Sequence, residues 1–236
     1  LRDVIAARNA DIATTGYFGR RYVQNALRAA LLIDTPKMEL HTGGSICIVA
    51  AGPGLEKAVP WLQRYRDRIS LWALSSAFPA LAARGITPDL LVQQDAGFPA
   101  RAHTSISARA RVAPLLMPLT AMLPPPPLRS GIMLFDQGTR VEQDLLSALN
   151  IAPPRVPESG TVAASALRLA LGLSHRPVYI AGLDLARRDI LPHARPHAFE
   201  PIFMDGEDRL HPFFSMRASE AFERTRVSDD GHWRFD

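Results

Sequence analysis

With 236 residues and a hydrophobic fraction of 47%, the chain is long enough to bury a substantial core and ordinary for a globular protein. No window approaches the roughly 18 consecutive apolar residues of a membrane span, and the charged first residues do not resemble a secretory signal, so we expect a cytoplasmic protein. The net charge of +4 comes mainly from scattered arginines that do not alternate with aromatic residues, which argues against nucleic-acid binding, and the single cysteine excludes an internal disulfide bond.

The first half of the chain predicts a helix followed by strands that alternate with helices. GYFGRRYVQNALRAALLID has apolar residues at helical spacing, and Thr35-Pro36 ends that pattern. From Ser45 onward, SICIVA and ISLWAL indicate strands with the helix LEKAVPWLQRYR between them. The short helix FPALAARG and the strand DLLVQQ follow, and RVAPLLMP and GIMLF predict two further strands.

The second half continues this alternation and then loses it. RVEQDLLSALN and GTVAASALRLALGL predict helices, with Ser159 placed to cap the second, and PVYIAG predicts the last strand. Strands alternating with helices favour an open, mostly parallel, doubly wound (Rossmann-like) α/β sheet with helices on both faces. We predict an N-terminal helical segment over 1–40 and a core over 41–190. Over 191–236 we predict an irregular His- and Arg-rich active-site loop and a C-terminal segment that is cut short.

The first candidate site is the turn AAGPG, which follows the first strand. Ligands of open α/β sheets bind beyond the carboxyl ends of the strands. Gly52 and Gly54 can adopt positive φ and let a ligand approach the backbone, and the next helix offers free N–H groups and a positive dipole end. The turn lacks the Walker lysine and the third glycine of the dinucleotide fingerprint. Spacing alone therefore leaves a phosphate site and a plain turn as alternatives.

Further candidates follow other predicted strands. Ser75 is placed either to bind a ligand or to cap the next helix. Asp95 can hold a metal ion, a ribose or a substrate amine, or it can be a solvated loop residue. The helix start at 159–161 can bind an anion or simply be capped, and Gly182 and Asp184 have the same two interpretations as Asp95.

Two histidines lie in the loop after the last predicted strand. His193 and His197 are four residues apart, but Pro196 between them argues against a helical metal pair, and no Cys or carboxylate spacing completes a zinc site. Either imidazole can act as a general base, or it can be an exposed loop residue. The lone Cys47 lacks a nucleophile context and no G-x-S-x-G elbow is present, so acyl-enzyme chemistry is disfavoured.

The order of these motifs carries a family resemblance. The segment from IVAAGPGLEK to DLLVQQD resembles the MptE-like domain of Maf (motility-associated factor) flagellin glycosyltransferases, which shows a Gly-Pro-Ser-Leu turn and a G-I-x-P-D…D segment. SGTVAASALRLALGLSHRPVYIAGLDLA is similar to the family's second signature, a Gly-Ser/Thr-Val helix that leads to a G-x-D-L/F strand end. HARPHAFE lies where a His-containing loop is expected, and the core is also distantly similar to bacterial sialyltransferases.

The resemblance implies a function and assigns residues to it. It implies transfer of a nonulosonic (sialic-acid-like) sugar from a CMP-activated donor to a protein Ser/Thr hydroxyl, as on flagellin. The alternatives are an MptE-like pyrophosphokinase acting with ATP and Mg²⁺ on a hydroxymethyl pterin, and a non-catalytic nucleotide-binding or flagellar accessory module. The catalytic candidates are His193, His197 and Asp95, and Asp95 is also the candidate metal ligand. The candidate nucleotide-binding residues are Gly52, Pro53, Gly54, Ser75, Ser159, Gly160, Thr161, Gly182 and Asp184.

One residue departs from the family pattern. Gly54 stands where the family usually has serine, which removes one hydroxyl from the turn. We expect the turn to hold a nucleotide nevertheless.

Overall fold

The central sheet has six strands, all parallel. The structure is a computed structural model, and it describes residues 2–33, 44–110, 113–126, 131–157, 159–205, 207–210, 212–222 and 226–235. The strands are β1 (Ser45–Val49), β2 (Ile69–Leu74), β3 (Leu90–Val92), β4 (Leu115–Met117), β5 (Ile132–Leu134) and β6 (Val178–Ala181). Their order across the sheet is β5-β4-β3-β2-β1-β6, which confirms the predicted fold class.

Eight helices and a small second sheet complete the described part of the chain. The helices are α1 (Arg2–Leu32), α2 (Leu55–Tyr65), α3 (Phe78–Ala82), α4 (Ala100–Ala110), α5 (Arg140–Ala148), α6 (Val162–Leu173), α7 (Glu200–Met204) and α8 (Phe213–Phe222). The second sheet is antiparallel and consists of β7 (Arg187–Arg188), β9 (Trp233–Phe235) and β8 (Arg226–Val227) in that order.

Alternate residues of each strand enter two separate cores. In β1, Cys47 and Val49 pack in one cluster with side chains of α1, α2, α3 and α5, whereas Ile46 and Ile48 pack in a second cluster with α6. This alternation is the two-residue period of a strand, and it places helices on both faces of the sheet. Burial raises the pKa of the Cys47 thiol to about 11, as expected for a core cysteine without a reactive role.

The sheet changes direction between β1 and β6. From β1 to β5 each new strand is added on the same side of the previous one, with α2 and α3 packed on one face of the sheet. The chain then returns through α6, which packs on the other face, and β6 pairs with the free side of β1. A right-handed crossover in the opposite direction requires the opposite face. The carboxyl ends of β1 and β6 therefore border the topological switch point, where open α/β sheets bind their ligands.

Several elements differ from the sequence prediction. The helix expected around GYFGRR begins much earlier, at Arg2, and the predicted break at Thr35-Pro36 lies outside the described residues. The helix α4 was missed, because its apolar residues are too few for a helical stripe. The stretch expected to be irregular, 191–236, contains two short helices and two of the three strands of the second sheet, β8 and β9. Among the described residues, no helix has both the length and the hydrophobicity that a bilayer crossing requires.

Candidate functional site

The switch point brings together two turns that are far apart in sequence. Beyond β1, the Ala50 amide donates to the Ala181 carbonyl and the Gly52 amide to the Gly182 carbonyl, both at 2.8 Å. The Gly54 amide donates to Oδ2 of Asp184 at 2.6 Å. Four of the predicted nucleotide-binding residues therefore form one compact structure at the carboxyl edge of the sheet.

The glycines of the β1 turn are needed for space. We expected positive φ at Gly52 and Gly54, but neither has it, and Gly54 is in the right-handed helical region at φ −65° and ψ −16°. A Cβ at Gly52 would overlap Asp184 and the Gly182 carbonyl, and a Cβ at Gly54 would overlap the Asp184 carboxylate. The positive φ is at Gly182 (+68°) instead. A serine at 54 does not fit while Asp184 occupies this position.

Asp184 places a negative charge at the start of α2. Its carboxylate accepts from Gly54, the residue immediately before the helix. Carboxylates and phosphates are both stabilised at a helix N-terminus by the free N–H groups and the helix dipole. The position predicted for a nucleotide phosphate is therefore occupied by an anion that belongs to the protein.

Three histidine rings pack against one another beside this turn. His193 and His197 lie nearly parallel, with ring centroids 4.2 Å apart and an interplanar angle of 9°. His103, from α4, meets the edge of His197 at 5.0 Å. The Ala194 amide donates to the Ala51 carbonyl at 2.8 Å, which ties the loop of His193 and His197 to the end of β1. We call these three residues the histidine cluster.

The histidine cluster is neutral near pH 7. Burial, with repulsion from His193, lowers the pKa of His103 to about 4. Burial, with repulsion from both neighbouring imidazoles and Arg217, lowers that of His197 to about 3. Burial, Arg217 and Arg187 also lower the pKa of His193. An anion bound here would reverse the electrostatic part of these shifts.

Two ring nitrogens in the histidine cluster lack a hydrogen-bond partner. The Phe199 amide donates to Nδ1 of His197 at 3.4 Å, which assigns the proton to Nε2 in the neutral ring. Within the described residues, Nε2 of His197 and Nδ1 of His103 are buried and have no partner. Buried polar atoms are normally paired, so these two point to a ligand that is absent from the free protein.

A cleft opens onto the histidine cluster. It has a volume of about 90 Å³, and its walls include His193, His197, Phe199 and Arg217. Glu200 also lines it and pairs with Arg195, with Nε and Oε1 2.6 Å apart. The Arg217 guanidinium leaves this cleft suited to an anionic ligand.

The start of α6 differs from the prediction in its cap. Thr161, not Ser159, is the capping residue, because its hydroxyl accepts from the Ala164 amide at 3.1 Å. Ser159 instead donates to the Pro157 carbonyl. Gly160 has φ +74° and no atom close to where a Cβ would lie, so the backbone is open to a ligand at this turn.

Ser75 and Asp95 follow β2 and β3 at the same edge. Ser75 is buried and does not cap α3. The N-cap residue of that helix is Ala77, and no side chain forms a capping hydrogen bond there. Asp95 is exposed, and its Oδ1 accepts from the Gly97 amide at 2.8 Å. Over the residues that the structure describes, no three His, Cys, Asp or Glu side chains are arranged to hold a metal ion.

Sequence reasoning missed His103 and Arg217. His103 lies in α4, which the pattern did not predict, and Arg217 lies in α8, beyond the point where the alternation of elements is lost. Recognising that a helix follows the third strand would have placed His103 near the carboxyl edge. No signal in the sequence connects Arg217 to this site.

Comparisons with known proteins agree with this architecture. The family described as 6-hydroxymethylpterin diphosphokinase MptE-like matches residues 24–189. An uncharacterised protein of Treponema pallidum (strain Nichols) is 33% identical over 224 residues, which cover 94% of this chain and 49% of that protein. A second uncharacterised protein of that organism is 33% identical over 90 residues, or 36% of this chain and 42% of that protein. The chain thus spans about half the length, or less, of these relatives.

A solved structure has the same fold. The Maf glycosyltransferase from Magnetospirillum magneticum AMB-1 superposes with a TM-score of 0.54 at 17% sequence identity, over 72% of this chain and 28% of that one. The family match covers well over half of the chain, and it agrees with the motifs of the two signature segments. The chain therefore belongs to the family of 6-hydroxymethylpterin diphosphokinase MptE-like proteins.

Proposed function

We propose that this chain is the donor-binding and catalytic domain of a glycosyltransferase that moves a nonulosonic sugar from a CMP-activated donor to a protein hydroxyl, with flagellin as the candidate acceptor. The observation that carries the proposal is the hydrogen bond from Ala194 to Ala51, which holds a loop with two histidines against the switch-point turn. A general base and a nucleotide site need to be adjacent for this reaction, and the bond joins the two candidates. The shared fold with a Maf glycosyltransferase supports the same assignment.

The donor would bind along the carboxyl edge of the sheet. Its phosphate fits the N-terminus of α6 at 159–161, where Gly160 leaves the backbone accessible. The ribose hydroxyls fit Asp184, an acceptor that already caps the turn at Gly52 to Gly54. The acidic sugar would lie toward Arg217 and the histidine cluster, where a negative charge is electrostatically favoured.

The chemistry would be a direct displacement at the anomeric carbon. The acceptor oxygen forms the new bond to that carbon, the bond to the phosphate oxygen breaks, and its electron pair leaves with CMP. The hydroxyl proton goes to His193, which is half-buried on the cleft and neutral because its pKa is lowered. His197 stacks behind it, and its buried Nε2–H is a donor for the substrate. Asp95 remains a predicted catalytic carboxylate.

The family match favours one second candidate. It carries the description of a pterin diphosphokinase, so transfer of pyrophosphate from ATP to a hydroxymethyl pterin is the alternative reaction. That reaction uses Mg²⁺, which binds through one or two carboxylates together with substrate phosphates. Asp95 is the exposed carboxylate at this edge that would hold the ion.

Nucleotide binding separates these candidates. A ligand that binds only the folded state raises the midpoint of thermal unfolding. We expect stabilisation by CMP and none by ATP with Mg²⁺. The reverse pattern would favour the pyrophosphokinase, and no response to either nucleotide would favour a non-catalytic module and contradict the proposal.

The base is tested by substituting each histidine. We expect His193→Ala to lower glycosyl transfer by about 10²- to 10⁴-fold, the usual contribution of general base catalysis, while CMP binding is kept. His197→Ala should lower transfer less. His175→Ala is a matched control, since this exposed histidine lies before β6, at the opposite edge of the sheet. Transfer that survives both cluster substitutions would exclude a histidine base.

A further inference from the structure

A second, larger groove lies beside the histidine cleft. It runs between α4 and α7, has a volume of about 650 Å³, and is lined by Phe98, Ala102, Ser105, Phe199 and Ile202, among others. We call it the α4–α7 groove. Its volume lies within the range of ligand sites, about 300 to 1,000 Å³. No residue that lines it was singled out by the sequence.

The α4–α7 groove is suited to an apolar occupant. Phe98 and Ile202 keep 65% and 54% of their surface exposed, which leaves two large hydrophobic side chains facing solvent at one site. The hydroxyl of Ser105 donates to the Arg101 carbonyl at 2.7 Å and is therefore occupied. A sugar or a pterin, both rich in polar groups, would find few partners on these walls.

One residue joins the groove to the histidine cluster. The Phe199 ring lines both the α4–α7 groove and the histidine cleft. Its centroid lies 4.5 Å from that of His103 and 5.2 Å from that of His197. A molecule seated in the groove is therefore separated from His103 and His197 by one aromatic ring, and His197 in turn stacks on the proposed base, His193.

We propose that the α4–α7 groove binds an apolar side chain of the acceptor protein, next to the hydroxyl that receives the sugar. The inference rests on the proposed function, because it assigns the groove through the contact of Phe199 with the histidine cluster, which contains the proposed base. The wall of the groove runs from Phe98 and Pro99, which precede α4, to Ser105, and its helical part from Ala100 to Ser105 rises about 8 Å at 1.5 Å per residue. This accommodates one or two side chains, whereas an acyl chain, which spans half of a bilayer core, needs about 15 Å.

The test compares two fluorescein-labelled peptides with one serine each. In the first, valine and phenylalanine flank the serine, and in the second, glycines flank it. Binding is measured by fluorescence anisotropy, and transfer is measured as CMP release from the donor. We expect the unsubstituted protein to bind the apolar peptide at least tenfold more tightly than the glycine peptide.

Substitutions in the groove should remove that preference. We expect Phe98→Ala and Ile202→Ala each to weaken binding of the apolar peptide about tenfold, with CMP binding and the affinity for the glycine peptide unchanged. Leu171→Ala is the matched control, because Leu171 is 61% exposed on α6, which packs on the opposite face of the sheet.

The outcomes separate this inference from the proposed function. Equal binding of the two peptides, or a preference that survives both groove substitutions, would overturn the inference even if CMP binds. If the apolar peptide binds at the groove but CMP does not stabilise the protein and no CMP is released from the donor, the groove binds an apolar side chain as inferred. The glycosyltransferase proposal then fails, and with it the identity of the peptide as a sugar acceptor.

Discussion

Two buried polar clusters at the carboxyl edge of the sheet are built on opposite principles. Glu142, on α5, is fully buried and accepts four hydrogen bonds, from the Thr120 and Gln137 amides and the Thr120 and Thr139 hydroxyls. In the histidine cluster, His103 and His197 are almost as deeply buried, but among the described residues Nδ1 of His103 and Nε2 of His197 have no partner.

The difference is one between a cluster with a structural role and the cluster for which we propose a functional role. Burial raises the pKa of Glu142, and its four hydrogen bonds oppose that shift by stabilising the carboxylate. The Thr139 hydroxyl also caps α5, because it accepts from the Glu142 amide at 3.4 Å and donates to Oε2 of Glu142 at 3.0 Å. The histidine cluster has no such compensation, so the free protein bears a desolvation cost that a ligand would relieve. Burial alone therefore does not distinguish the two clusters, whereas the pairing of their buried atoms does.

The largest expected effect is the loss of stability when the hydrogen-bonded cluster around Glu142 is disrupted. Glu142→Ala should lower the free energy of unfolding by about 3 to 5 kcal/mol, because it leaves two backbone amides and the Thr139 hydroxyl without their acceptor and removes one of the two acceptors of the Thr120 hydroxyl. Urea unfolding measures this, and CMP binding below the transition should be unchanged. Asp144→Ala, which breaks only the exposed pair with Arg140 on the same helix, should cost less than 1 kcal/mol. Equal losses in the two variants would contradict the assigned role of Glu142.

A smaller effect on stability is expected when acid protonates the histidine cluster. An unfolded histidine gains a proton near pH 6.5, whereas folded His103 remains neutral until about pH 4. The unfolded state thus binds more protons between these values, and stability must fall as the pH falls. Between pH 7.5 and 5, His103 alone should remove about 2 kcal/mol, at about 1.4 kcal/mol per pH unit.

His103→Phe isolates this contribution. The phenyl ring keeps the contacts with His197 and Phe199 but cannot titrate, so the variant should lose about 2 kcal/mol less than the unsubstituted protein over the same pH range. Glu142 and the other titrating groups are present in both proteins, so their contributions cancel in the difference between the two stability curves. Parallel stability curves would mean that His103 is not held neutral.

The smallest expected effect concerns the close approach of Gly54 to the Asp184 carboxylate, at the same edge of the sheet. Gly54→Ser should cost about 1 to 2 kcal/mol, because the new Cβ meets the Asp184 carboxylate. In an Asp184→Ala background the same substitution should cost less. A double-mutant cycle by urea unfolding measures the coupling, and additive losses would show that the carboxylate is not the obstacle.

The fold was largely predictable because its signals are local. Buried parallel strands such as ISLWAL are short apolar runs, and LEKAVPWLQRYR has an amphipathic helical period, so their order alone indicates a doubly wound sheet. The sequence also places Gly52, Gly54, Gly182 and Asp184 at strand ends, where ligands of such sheets bind. The hydrogen bonds that join them were not predicted.

The remaining features depend on packing between distant segments. The reason for glycine at 54 is the position of Asp184, which no local pattern reveals. The interpretation of His193 and His197 as exposed loop residues was wrong, because rings from α4 and the loop bury one another. His103 was missed for the same reason. The roles of these residues in binding and catalysis stay predictions.

The hydrogen bond from Gly54 to Asp184 also has a consequence for how the protein folds. Its two ends are separated by 130 residues. The strand β6, which precedes Asp184, is the last of the six strands along the chain, yet it pairs with the first, β1. Contacts of such high sequence separation slow folding, because the entropy of closing the loop must be lost before the contact forms. A nascent or partly unfolded chain in which β6 has not paired with β1 therefore lacks this bond, and the turn at Gly52 to Gly54 is complete only when these two strands have paired.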